Sequence, residues 1–407
     1  MVNFNLDGYV EHCLNRMAVE IGARPAGSRA NRAAASFIAG EMKQAGCQVI
    51  WQEYPCPDWR ATACELTVAG QKIVAVANTY SPPCDIEAEL VSVSTAEDLA
   101  NTDLTNKIAV VHGEITGSSF LPKNFDRNYY VVESQDRFME LLVSSNPMAV
   151  ITVSHYDSPY PVLVEDSDFT IPSATVSKPT GLMVVQNTGA TARLKIDSAT
   201  EKGAGANIIG RHIGNGGPKI LVCAHYDTKP DTPGALDNAS GMAALLLLAR
   251  LLGRPANGRS MEYVAYGGED SWWPGDALYI EEYPPDNVAA VVNIDGVGLK
   301  EAKTAVAFFA CPEGLADRVM DMAKSRGEFV AEQWYASDHG FFWPRGIPTL
   351  AFTTTGCMDL VGKVAHTEND TPDLLDNRRI EQTAQLVRDI ILMLDASLNT
   401  SISKSNK

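Results

Sequence analysis

Lys219–Asp227, KILVCAHYD, followed after a short loop by Pro233–Gly253, PGALDNASGMAALLLLARLLG, decides how this chain folds. Lys219 to Ala224 is a short apolar run of the kind that forms a buried strand, and it delivers His225, Tyr226 and Asp227 at its carboxyl end. Ser240 to Leu252 then reads as a buried helix, with Gly253 placed to stop it. Downstream, Met261–Tyr266, Val288–Ile294 and Thr349–Thr353 are further strand candidates, with helical patterns around 314–325 and 379–394. Alternation of strands and helices predicts an α/β fold: a three-layer α/β/α sandwich with a mixed, mostly parallel sheet. Such sheets bind ligands at the carboxyl ends of their strands.

Upstream, Leu6–Ile21 and Ser28–Ala45 read as helices and Gln48–Tyr54 as a strand. From about Asp58 the texture changes to short strand-like runs separated by turn residues, with helical patterns only around 135–143 and 178–187. We therefore expect a discontinuous catalytic domain, 1–57 and 200–407, interrupted by a mainly β domain over 58–199. A length of 407 residues suits two domains.

The ends of the strands carry the chemistry. The first strand ends in His225-Tyr226-Asp227, the second in Gly267-Gly268-Glu269-Asp270 and the third in Asp295. Asp237 lies between the first strand and its helix, and His366 precedes the last long helix. Each has a plainer reading alone: Asp237 or Asn238 as a helix cap, Asp295 before Gly296 as a turn, Glu269-Asp270 as a solvated pair. Together they put several carboxylates at one sheet edge, where like charges repel unless cations neutralise them. Two histidines with three Asp or Glu suit one or two divalent metals such as zinc.

In this order, HYDT, PGALDNASG, GGED, NID and AHTEND resemble the co-catalytic di-zinc aminopeptidases of metallopeptidase family twenty-eight. The resemblance runs from about Asn207 to Leu394 and takes in Gly22–Ser28. It implies two zinc ions, with cobalt or manganese as substitutes. His225 and Asp295 would be terminal ligands of one ion, Asp270 and His366 of the other, and Asp237 the bridge. It also implies Glu269 as general base for a water shared by the metals, and Asp227 as the acceptor that orients the His225 ring. The expected reaction is release of N-terminal residues from peptides with a free N-terminus. Asp270 departs from the commoner second glutamate and has a shorter reach. Trp272 and Trp273, close behind the base, read either as core or as a wall of the substrate pocket. Trp334, Tyr335 and His339 are further candidates for that wall, His339 equally for a supporting role.

Val153–Ser158, VSHYDS, copies the His-Tyr-Asp motif, but position 167, where a bridging aspartate belongs, is Ser. The runs KIAVVHGEI, MAVITVSHYD and TIPSATVSKPTGLMVV resemble a protease-associated domain.

Other activities fit less well. A glutaminyl cyclase, an acyltransferase that resembles the same fold with a single zinc, is the alternative, suggested by Trp273–Tyr279. A carboxypeptidase needs a basic pocket, for which Arg345 is the lone candidate. A metal-free binding protein should lack a ligand, and none is missing.

With 33 Lys and Arg against 50 Asp and Glu, the formal charge is −17, which argues against nucleic acid and anionic membranes as partners. The eight cysteines form no CxxC pair and read as reduced thiols. No basic, apolar leader opens the sequence, so a cytoplasmic protein is expected, or a secreted one if Met1 follows a removed signal. An oligomer is compatible with all of this.

Overall fold

The computed structural model describes residues 8–117, 120, 133–158, 163–253, 258–271 and 275–405. The chain divides into two compact units, one formed by Met1–Tyr54, Ala204–Leu360 and Glu368–Lys407, the other by Pro55–Gly203 and Val361–Thr367. The sequence alone assigns 361–367 to the catalytic part; the structure groups this segment with the insert.

In the first unit an open sheet runs in the order Phe329–Ala331, Thr304–Phe309, Thr349–Thr354, Val288–Ile294, Lys219–His225, Met261–Tyr266 and the end of Thr191–His212. The three middle strands from Val288, Lys219 and Met261 are mutually parallel, as is the Thr349 strand beside Val288–Ile294. Thr304–Phe309 and the segment 208–212 are antiparallel to their inner neighbours. Helices cover both sides, giving the mixed α/β architecture. Both faces of the middle strands are buried, which explains why they read as unbroken apolar runs rather than as alternating ones. Leu221, Cys223, Val264, Tyr266 and Val291 pack with Tyr279, Phe341 and Phe342. The opposite side is covered by Gly241–Leu252, against which the helices beginning at Tyr9, Arg29 and Asn377 pack.

Gly241–Leu252 is buried from Gly241 through Ala249. By composition, Ala235–Leu252 is long and apolar enough to cross a membrane, yet 78% of it is buried inside the fold. The backbone is also non-helical at Asp237 and Asn238, so the regular helix has only 12 residues. At 1.5 Å per residue that is about 18 Å, well short of a bilayer core.

The second unit holds the remaining strands. The beginning of Thr191–His212 is antiparallel to Cys84–Val93. Lys107–Val111, Ala149–Val153 and Ser173–Val176 follow in parallel, and Val76–Ala77 closes the order antiparallel. Helices Ala96–Ala100, Glu133–Ser145 and Lys178–Gln186 accompany it. The sequence reads a strand over Gln48–Tyr54, followed from about Asp58 by separate short runs. The structure instead has one strand, Gln48–Val68. Over most of its length that strand pairs on one side only, where a missing N–H is tolerated.

Candidate metal centre

The register of the first sheet gathers the site. Tyr266 pairs with His225, and Asn293 with Cys223, so Glu269-Asp270 and Asp295 emerge at the same edge as His225. The Asp295 N–H still bonds the Phe352 carbonyl, at 2.9 Å, which fixes the point where the strand ends.

The loop that supplies Asp237 is held by its neighbours in the motif. Asn238 Oδ1 accepts the N–H groups of Gly241 and Gly296, at 2.9 and 3.2 Å, and its Nδ2 donates to the Ile294 carbonyl at 3.0 Å. Ser240 Oγ donates to the Leu236 carbonyl and accepts the Val297 N–H, at 2.8 and 3.1 Å. A Cβ at Gly241 would lie 2.2 Å from the Ile294 carbonyl oxygen, so only glycine lets the helix start approach this strand. Asn238, not Asp237, therefore takes the capping role that the sequence left open between them. The Asp237–Asn238 peptide bond is cis.

Two residues that the sequence did not single out hold this loop from outside. Asp370 accepts the N–H groups of Leu236 and Asp237, at 2.6 and 3.0 Å. The fully buried Arg24 donates to the carbonyls of Tyr226, Pro233 and Gly234, at 2.5, 2.7 and 2.8 Å. Both stand inside stretches that the resemblance takes in, Gly22–Ser28 and AHTEND, which was the available signal. Burial draws the Arg24 guanidinium down to about 10, opposed by Asp370, Asp227, Asp270 and Asp237, so it stays charged at neutral pH.

His225, 1% exposed, turns Nε2 toward three carboxylates: Asp237 at 3.1 Å, Asp295 at 3.4 Å and Glu269 at 4.0 Å. One donor atom each from His225, Asp237 and Asp270 lie within 4.8 Å of one another. Burial pushes the His225 imidazole down, but Asp295 and Glu269 dominate and carry it well above its ordinary value. Burial raises Glu269 and Asp295 above the ordinary carboxylate range; His225 opposes this, and neighbouring carboxylates add to it. A buried imidazole among carboxylates that resist ionising together is a donor set suited to a borderline divalent cation such as zinc.

Asp227 stands 3.6 Å from His225 Nδ1, beyond a hydrogen bond. Its oxygens instead accept the N–H groups of Glu269 and Ser271 and the Ser271 hydroxyl, each at 3.0 Å. Asp227 thus anchors the loop that carries the base. The expected ring-orienting hydrogen bond is replaced by this loop contact, because three donors of that loop converge on the carboxylate.

The remaining candidates separate. His366 lies in the segment that groups with the second unit, with a left-handed φ of 64°. Trp272 and Trp273 lie outside the described residues. Trp334 is buried against Phe309, Ala307 and Ala351, whereas Tyr335 is 59% exposed, its ring edge-on to Phe309. His339 is fully buried: Nε2 meets the Trp334 carbonyl at 3.0 Å, and Nδ1 meets Asn293 Nδ2 at 3.3 Å. With both ring nitrogens engaged it supports Asn293 and Trp334. Its neighbour Asp338, buried with neither carboxylate oxygen hydrogen-bonded, was also missed. His155, the copy of the motif, is exposed in the second unit and meets the Gly113 carbonyl at 2.8 Å. All eight cysteines are free thiols.

Residues 207–391 match the model of peptidase family M28. That stretch is the part of the chain that is similar to the family. The chain is 25% identical over 391 residues to aminopeptidase YwaD of Bacillus subtilis, an alignment covering 92% of this chain and 82% of that relative. The solved structure of BSAP, a zinc aminopeptidase from Bacillus subtilis, superposes with a TM-score of 0.76 at 23% identity, covering 96% of this chain and 95% of the other. A glutaminyl cyclase from Porphyromonas gingivalis matches at a TM-score of 0.50 and 16% identity, covering 96% and 99%. The likeness is to hydrolytic enzymes, and the zinc aminopeptidase expected from the sequence is the class for which these relatives are named.

Proposed function

We propose that the protein is a metal-dependent aminopeptidase that releases N-terminal residues from peptides and holds two zinc ions at this sheet edge. The observation that carries the reading is the convergence of donor atoms from His225, Asp237 and Asp270 within 4.8 Å, with Glu269 beside them. His225 and Asp295 would hold one ion and Asp270 and His366 the other, with Asp237 shared; His366 is assigned from its motif alone. Bound zinc supplies polarisation of the scissile carbonyl and activation of a water.

The chain does the rest. Glu269 takes a proton from the attacking water and returns it to the leaving amine; burial and the neighbouring carboxylates raise its carboxyl above the ordinary range. Asp227 fixes Glu269 by its backbone N–H, so the base is aimed by the loop rather than by its own side chain. The free α-amine of the substrate, a cation, is drawn to an edge already rich in carboxylates. Tyr335, exposed on an aromatic base of Phe309 and Trp343, is placed to cover an apolar substrate side chain.

The alternative, a glutaminyl cyclase-like acyltransferase, rests on the fold likeness and calls for one zinc. The complete ligand set favours the peptidase.

Purified protein loaded with zinc should hydrolyse aminoacyl-anilides, lose that activity to a chelator, regain it with zinc or cobalt, and leave N-terminally blocked peptides intact. Cyclisation of N-terminal glutamine with one bound zinc would reverse the order of the two readings; no turnover of any aminoacyl-anilide or dipeptide would remove the first.

A further inference from the structure

An aspartate at 270 is shorter than a glutamate by one methylene, about 1.5 Å of reach. Its carboxylate nevertheless lies in the donor group with His225 and Asp237. The backbone around it must therefore be held close to the cluster.

The described part of that loop is held at several points. Asp227 takes the N–H groups of Glu269 and Ser271, and Ser271 Oγ accepts the Ala26 N–H at 3.0 Å. The carbonyl of Asp270 itself is the acceptor for Lys229 Nζ. Lys229 is only 6% exposed, a depth at which an ammonium is found only with partners. The backbone from which it reaches is fixed as well. Thr228 Oγ1 accepts the Arg24 N–H at 2.9 Å and donates to the Lys229 carbonyl at 3.0 Å. Two residues later Asp231 turns the chain with a left-handed φ of 57°.

We propose that Lys229 is the positioning residue that allows an aspartate to serve at position 270. By donating to the Asp270 carbonyl it fixes that residue's backbone and sets the short carboxylate within the donor group. This inference rests on the reading of Asp270 as a metal ligand. Its signature is coupling between the two positions: a longer side chain at 270 should make the lysine dispensable.

The test is calorimetric titration of zinc into chelator-stripped, full-length protein. Wild type, Lys229→Met, Lys229→Gln, Lys229→Arg and the double variant Lys229→Met/Asp270→Glu are compared. Wild type should take two equivalents. Lys229→Met and Lys229→Gln should weaken one equivalent by about 10–100-fold, the size of effect seen when a partner that orients a ligand is lost. Lys229→Arg, which keeps a charged donor, should lose less, and the double variant should regain most of the affinity. Wild-type affinity in both Lys229→Met and Lys229→Gln, or a double variant no better than Lys229→Met, overturns the role of Lys229 alone. A wild-type protein that takes up no zinc overturns the metal-site reading beneath it.

Discussion

Asp370 grips the backbone of Asp237: one of its carboxylate oxygens accepts the Asp237 N–H at 3.0 Å, while the other accepts that of Leu236 at 2.6 Å. Burial and the charge of Asp237 push the Asp370 carboxyl up to about 7, while the two N–H groups and Arg24 favour its ionised form. One carboxylate thus shapes the loop that presents another. Both oxygens are in use as acceptors, so Asp370→Asn must turn an NH2 toward one of the two N–H groups. We expect about 10–100-fold weaker zinc binding in this variant, read by titration of stripped protein. Unchanged affinity would show that the loop keeps its form without two acceptors.

Replacing Glu269 by Gln keeps the shape and removes the basic oxygen. Zinc content should stay at the wild-type value while kcat falls by about 10²- to 10⁴-fold. Elemental analysis beside steady-state kinetics separates the two effects, and full turnover in this variant would remove Glu269 as the base.

Arg24→Met would strand the buried carbonyls of Tyr226, Pro233 and Gly234. The expected loss is about 3–5 kcal/mol of stability, measured by denaturant unfolding. Arg24→Lys should recover little of it, because an ammonium cannot reach three carbonyls in one plane. A lysine variant of wild-type stability would show that charge, rather than the fork of donors, does the holding.

His339 should make the metal-stripped protein sensitive to acid. Burial lowers its imidazole from 6.5 to about 4, and the geometry suits a neutral ring that donates to Trp334 and accepts from Asn293. Between those pH values the unfolded chain binds the proton and the folded chain does not, so stability is lost as pH falls from 6.5 to about 4. The contribution is about 3 kcal/mol. His339→Gln should flatten the stability curve in this window; an unchanged slope would place the acid sensitivity elsewhere.

The sequence was most informative where one residue type has one use. The apolar runs before His225, Glu269 and Asp295 read as buried strands, and their shared parallel direction in the structure brings those residues to one edge. What it could not convey is how backbone groups are held. The resemblance implied Asp227 as the partner of the His225 ring, yet it serves the N–H groups of a loop more than 40 residues away. Lys229 and Asp370 act on main-chain atoms, which leave no trace in a pattern of side chains. Asp237 and Asn238 were interchangeable as caps in the sequence; only the positions of Gly241 and Gly296 assign the cap to Asn238.

The order in which these contacts are made along the chain has a consequence for synthesis. Arg24 finds its acceptors more than 200 residues later, at Tyr226, Pro233 and Gly234. The loop they form is completed only when Asp370 returns to Leu236 and Asp237. A nascent chain therefore carries His225 and Asp237 long before Asp370 can close the loop between them, so the supports of the site are completed only late in synthesis.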